Sequence, residues 1–193
     1  MEALKDEDSW VRQFAAVSLG KLRDKRAVTS LLLTLTDADE KVQERAVIAL
    51  GRLGDKSGIK PILEFLKSEN RDLVCAATFA LGELRAEVAS KTLVQILNNR
   101  SKTNWARHFA AVALGKIGNK SAFDSLITAL TDEDEVTRIA ATDGLGYLED
   151  ARAIPALRLA RKNDGGIDEF GESVRDHATR AIRRIRRHAN QGS

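Results

Sequence analysis

The chain has 193 residues, 43% of them hydrophobic and 31% charged, enough apolar material to exclude a disordered polyelectrolyte. Its 31 Lys and Arg nearly balance 28 Asp and Glu, and a formal charge of +3 excludes a nucleic-acid protein that works by bulk charge. A single cysteine, Cys75, excludes an internal disulfide, and no run of about 18 apolar residues marks a membrane span, so a reducing, cytoplasmic setting is expected.

Aromatics are only 5% and prolines number two, a composition that favours helices over sheets. In chain order, Met1-Glu2-Ala3-Leu4 reads as the last turn of a helix whose beginning is missing, which would leave apolar surface open to self-association. Asp6 and Asp8 then stand as N-cap signals before WVRQFAAVSLGKL, which starts at Trp10. Val11, Ala15, Leu19 and Leu22 fall at i, i+4, i+8 and i+11, one face of a helix that is expected to pack inward. AVTSLLLTL from Ala27 is a second, shorter helix.

The pattern then repeats. Long-helix blocks start at Lys41 (KVQERAVIALGRL), Asp72 (DLVCAATFALGEL), Trp105 (WARHFAAVALGKI), Val136 (VTRIAATDGLGYL) and, degenerately, Ser173 (SVRDHATRAIRRI). Short-helix segments follow at Gly58, Glu87, Ala122 and Ala153, with Pro61 and Pro155 in first turns, where a missing N–H costs little. Leu19-Gly20, Leu50-Gly51, Leu81-Gly82, Leu114-Gly115 and Leu145-Gly146 recur at intervals of 31, 31, 33 and 31 residues. A glycine inside a helix costs roughly 1 kcal/mol, so its recurrence points to a tight contact or an approaching helix end. Asp37 and Asp132 repeat Asp6, and Asp39 and Asp134 repeat Asp8. The expected organisation is one domain over 1–193, with repeat blocks near 5–35, 36–66, 67–97, 98–130, 131–160 and 161–189. Hairpins this short bury a core only by stacking. From Arg161 to Glu172 a long connection with a Gly165-Gly166 turn leads to an arginine-rich capping helix.

The motif D-x-D-x-x-V-R-x-x-A-A-x-A-L-G-x-I/L, spaced by about 31 residues, resembles the HEAT-like repeat family named for phycobilisome lyases. Asp6-Glu7-Asp8-Ser9-Trp10-Val11-Arg12 through Leu22 is also similar to the consensus used for artificial binders of that family. The resemblance implies an all-α, right-handed α-solenoid of about five to six helical-hairpin repeats, with the V-R-x-x-A-A helix lining a concave face. Arg12 is matched by Arg107, Arg138 and Arg175, but Gln43 and Val74 break the pattern, so an inter-repeat Asp-Arg ladder is expected to be interrupted there.

Beside the inward face of the first long helix runs a stripe of Trp10, Phe14, Val17 and Lys21. Repeat alignment carries it to Lys41, Arg45, Ile48 and Arg52, then to Asp72, Ala76, Phe79 and Glu83. It continues through Trp105, Phe109, Val112 and Lys116, with His108 alongside, to Val136, Ala140, Asp143 and Tyr147. Ser173, His177, Arg180 and Arg184 complete it. Six of the chain's nine aromatics fall on this stripe, interleaved with basic residues. An acidic protein partner held on a concave, partly aromatic face is the leading expectation; the alternative is that the phenylalanines pack between repeats.

Little else carries chemistry. Cys75 and His108 occupy equivalent positions in adjacent repeats, but packed helix axes lie about 8–10 Å apart, too far for a thiol–base pair, and a structural cysteine is expected. Three scattered histidines, with no H-E-x-x-H or paired-cysteine motif, predict no metal, and no phosphate loop predicts a nucleotide cofactor. Arg175, Arg180, Arg183, Arg184, Arg186 and Arg187 on the last helix read as a solvated cap or as a site for an acidic protein or a nucleic-acid backbone. The expected function is a non-catalytic interaction scaffold. The alternatives are a bilin lyase subunit or chaperone-like factor, which the resemblance alone implies, and, third, nucleic-acid binding on a basic face.

Overall fold

The computed structural model describes residues 1–164, 171 and 173–191, and the chain divides into two compact units, Met1–Ala89 and Ser90–Ser193. The expected Gly165-Gly166 turn lies outside the described residues.

The first unit opens with a 3-10 turn, Glu2–Lys5, followed by α1 (Ser9–Leu22), α2 (Val28–Thr34), α3 (Glu40–Leu53), α4 (Ile59–Glu64) and α5 (Arg71–Glu83). The second holds α6 (Ser90–Asn98), α7 (Asn104–Ile117), α8 (Phe123–Ala129), α9 (Glu135–Leu148), α10 (Ile154–Asn163) and α11 (Val174–Gln191). Helix α10 runs to Asn163, past the Arg161 at which the sequence places the start of the connection. Long helices stack on one another, α1 on α3 and α3 on α5 in the first unit, α7 on α9 and α9 on α11 in the second. Each short helix within a unit packs on the next long one, as α2 does on α3 and α8 on α9.

Each long helix starts for a local reason. Asp8, Asp39, Asn70, Thr103 and Asp134 are N-caps whose side chains accept from backbone amides one turn inside, satisfying donors that helix geometry leaves orphaned. One step earlier, Asp6, Asp37 and Asp132 accept from the amides of Asp8, Asp39 and Asp134 at 2.9, 2.9 and 3.0 Å. Asp37 also takes a bidentate grip from Arg12 of the preceding hairpin, at 2.8 and 2.9 Å. Arg107 reaches Asp132 through a single nitrogen at 2.7 Å, and Arg138 reaches Asp164. At the position of these arginines Gln43 donates instead to the Asp37 carbonyl of its own loop, 2.7 Å away.

The core repeats with the same period as the sequence. Leu50, Leu81, Leu114 and Leu145 of the Leu-Gly pairs are wholly buried, and so are Leu31, Ile62, Leu93, Leu126 and Leu157 on the short helices. Each such side chain contributes roughly 2 kcal/mol by leaving water. The glycines beside Leu19 and Leu50 let backbones touch: a Cβ built on Gly20 would lie 2.8 Å from Ala49 Cα, and one on Gly51 2.7 Å from Ala80 Cα.

The first helix departs from the expected inward face. Val11 is 38% and Leu22 73% exposed, and Ala15 and Leu19 are half-buried. Their equivalents Val42, Ala46, Leu50 and Leu53 are buried because α3 has long helices on both sides, whereas α1 has one on a single side.

Candidate protein-binding surface

In the first unit the stripe begins with Trp10 and Phe14, one helical turn apart on α1, 65% and 66% exposed, their rings stacked with centroids 6.4 Å apart. Val17 is half-buried and Lys21 exposed at the far end of the same helix. On α3, Lys41 is exposed while Arg45, Ile48 and Arg52 are half-buried. The nearly buried carboxylate of Glu44 accepts from Lys41 at 3.0 Å and lies 3.3 Å from Arg45, and Lys41 also pairs with Asp72. These ion pairs, which a list of stripe positions misses, neutralise the middle of the first unit's surface. Their signal was Glu44 at i+3 from Lys41, on the adjoining face. On α5 Ala76 is buried, and Phe79 and Glu83 are half-buried.

In the second unit Trp105, 46% exposed, leads an aromatic group. The His108 ring meets it edge-on at 5.5 Å, Phe109 lies 6.2 Å away, and His108 and Phe109 cross at 88° with centroids 5.3 Å apart. Burial pushes the His108 imidazole below its usual value, so the ring is neutral at pH 7. Its Nδ1 has no hydrogen-bond partner among the described residues. Val112 and Lys116 follow on α7, half-buried. On α9, Val136 and Asp143 are half-buried and Ala140 is fully buried. Tyr147 is sandwiched between cations, Lys116 Nζ 5.5 Å and the Arg184 guanidinium 4.2 Å from its ring centre. His177 on α11 is buried, its Nδ1 2.9 Å from Asp143 Oδ1, so it braces α9 against α11 while Arg180 and Arg184 remain exposed. Glu149, outside the stripe, accepts from Arg184 at 3.0 Å and lies 3.0 Å from His188 Nδ1.

Cys75 is half-buried, and burial together with the charges of Asp72 and Glu44 pushes its thiol up to about 11. It is a protonated thiol at neutral pH, a poor nucleophile. Among the described residues no group of three or more His, Cys, Asp or Glu is placed to hold a metal ion. No helix among them is long and apolar enough to cross a membrane.

Stacked helical hairpins with capping aspartates and a glycine contact in the long helix are what the family comparison matches: HEAT repeats align over residues 28–106 and 90–183. The chain is a HEAT-repeat protein. Residues 11–37 additionally match the PBS lyase HEAT-like repeat. No curated protein matches this HEAT-repeat chain by sequence. Among solved structures it is similar to an engineered protein at 20% identity and a TM-score of 0.62, covering 96% of this chain and 94% of that one. It is also similar to the complex of CpcE and CpcF of phycocyanin lyase from Nostoc sp., at 18% identity and a TM-score of 0.56, over 96% and 92% of the two chains. A designed armadillo repeat protein in complex with the peptide (KR)4 shares 18% identity, with a TM-score of 0.55 over 95% and 97% of the chains. At these identities the likeness establishes an α-solenoid fold of the HEAT and armadillo kind.

Proposed function

We propose that this HEAT-repeat protein is a non-catalytic scaffold that binds a protein of acidic or mixed surface along the stripe on its long helices. One observation carries the reading: each unit exposes a tryptophan with a phenylalanine one turn further on, Trp10 with Phe14 and Trp105 with Phe109. Large aromatics held at the surface by a rigid helix lose little conformational freedom on contact and dominate interface energetics. Lys21 and Arg52 in the first unit, and Lys116, Arg180 and Arg184 in the second, supply cations on the same stripe that would orient an acidic partner and speed its encounter. A partner captured from host extract by the wild type is expected to be lost by a Trp10→Ala/Trp105→Ala variant of unchanged helicity. Equal capture by both would remove the aromatic stripe from the interface.

A second reading, a bilin lyase subunit or chaperone-like factor for phycobiliproteins, is favoured by the match of residues 11–37 to the PBS lyase HEAT-like repeat. It predicts a coloured complex when bilin and apophycobiliprotein are supplied, where the scaffold reading predicts binding without turnover. The protonated Cys75 thiol weighs against that residue as a bilin carrier.

A further inference from the structure

Arg183 stands on α11 where Gly20, Gly51, Gly82, Gly115 and Gly146 stand on the other long helices. On α1, α3, α7 and α9 that position touches the next long helix, and a Cβ built on Gly146 would lie 2.9 Å from Ala181 Cβ on α11. A long charged side chain there closes the outward face of α11 to another helix stacked in the same way. Arg186 and Arg187 follow on the same side, so three guanidinium groups leave about 6 Å of helix.

All three are exposed, and none has an ion-pair partner among the described residues. Their neighbours differ. Arg184 donates to Glu149 at 3.0 Å, His188 Nδ1 lies 3.0 Å from the same carboxylate, and Arg180 also has a partner. Along α10 and α11 the one carboxylate is Asp176, about 10 Å nearer the start of α11, where it accepts from the Ser173 amide and hydroxyl. A helix that only faced water would interleave glutamate with its cations, because like charges one turn apart repel and opposite charges attract. Helix α11 has no glutamate and sets Arg183 against Arg186 and Arg187 at i+3 and i+4. A ligand of dense negative charge relieves that repulsion.

The chemistry of the face selects among such ligands. Its cations are all arginine, whose planar fork matches the oxygens of a phosphate. No large apolar side chain is exposed on α11, so the face lacks the anchor on which a protein interface depends. It carries no Trp, Tyr or Phe either, and so no platform on which the bases of a single strand could stack. What it offers is charge fixed along a straight rod, and a duplex supplies the complement, one phosphate charge per about 1.7 Å of its axis.

We infer that the outward face of α11, at Arg183, Arg186 and Arg187, binds the phosphate backbone of a double-stranded nucleic acid without reading its sequence. This goes beyond the scaffold reading, since none of the three residues lies on the stripe.

The probe is a fluorescein-labelled DNA duplex of about 20 base pairs, titrated with the intact chain and read by anisotropy. Binding with a Kd on the order of micromolar is expected at about 50 mM salt, weakening about 40-fold by about 200 mM, as three neutralised phosphates require. A duplex of unrelated sequence is expected to bind equally. Arg183→Gln/Arg186→Gln/Arg187→Gln is expected to lose at least about tenfold at the lower salt and to flatten the salt dependence, while Arg183→Lys/Arg186→Lys/Arg187→Lys, which keeps the charge, retains most of the binding. Circular dichroism of each variant checks the fold. No saturable binding at the lower salt, or unchanged affinity in the glutamine variant, overturns the inference. Displacement of the duplex by poly-glutamate at equal charge concentration overturns it too, in favour of an acidic protein. Trp10→Ala/Trp105→Ala is expected to bind the duplex as the wild type does, so failure of either reading leaves the other standing.

Discussion

Gly115 lies so close to α9 that a Cβ built on it would stand 2.2 Å from the Gly144 carbonyl oxygen, and the contact is with backbone, which cannot swing aside. Alanine there would gain about 1 kcal/mol of helix propensity, yet the clash outweighs it. Gly115→Ala is expected to destabilise the chain by about 2 kcal/mol net, measured as a lower urea midpoint. The recurrence of the Leu-Gly pair made this contact legible in the sequence, because a glycine retained at five helix positions against its propensity needs a steric reason. The backbone at the next helix end was not legible in the same way. Arg23, Arg85 and Glu149 have φ of 53°, 49° and 57°, the left-handed region that Gly54 and Gly118 occupy at equivalent positions. Stacking imposes this turn on every hairpin, and only two of the five carry the residue that adopts it freely. Arg23→Gly is accordingly expected to raise stability by about 0.5–1 kcal/mol, the same midpoint moving upward.

Between helices, the arginine that crosses from one hairpin to the next aspartate joins secondary structure to stacking. The Arg12 guanidinium holds the Asp37 carboxyl below the usual carboxylate range. At Asp132 burial pushes upward, but the hydrogen bonds from Arg107 and from the Asp134 amide, with the charges of Arg107 and Arg100, together outweigh it and the carboxyl again lies low. A carboxyl depressed in the folded state contributes stability that is complete above its unfolded value, near 3.9, and is lost as pH falls through the folded value. Asp37→Asn is expected to be less stable than the wild type at pH 7, with the gap closing below about pH 4; a gap that persists there would remove this ion pair from the account. The Asp-x-Asp spacing announced the caps, and the Arg12, Arg107 and Arg138 positions announced the crossing bonds. The third partner, Asp164, was hidden because it stands outside the Asp-x-Asp motif, at the end of α10. The inward face assigned to Val11 and Leu22 failed on α1 for a related reason. Periodicity identifies which side of a helix is apolar, and only the neighbours decide whether that side is covered.

For the molecule as a whole, a net charge of +3 conceals how the charges are sorted. Acids gather at the starts of long helices as caps, and arginines gather on α11, where Ile182 and Ile185 pack inward and Arg183, Arg184, Arg186 and Arg187 face water. Sequence patterning brought out the repeat and its pairing of long and short helices. It did not bring out the neutralising cluster of Lys41, Glu44, Arg45 and Asp72, nor the Asp143–His177 bond, since both depend on side chains meeting across helices. The two tryptophans are the only ones in the chain, one in each unit, and both lie on the proposed binding surface. Their emission therefore reports on that surface without any label. Free protein is expected to show the red-shifted, readily quenched emission of exposed indoles, and addition of the captured partner is expected to shift it to the blue and protect it from iodide. Emission and quenching that stay unchanged on saturating partner would contradict the claim that this surface makes the contact.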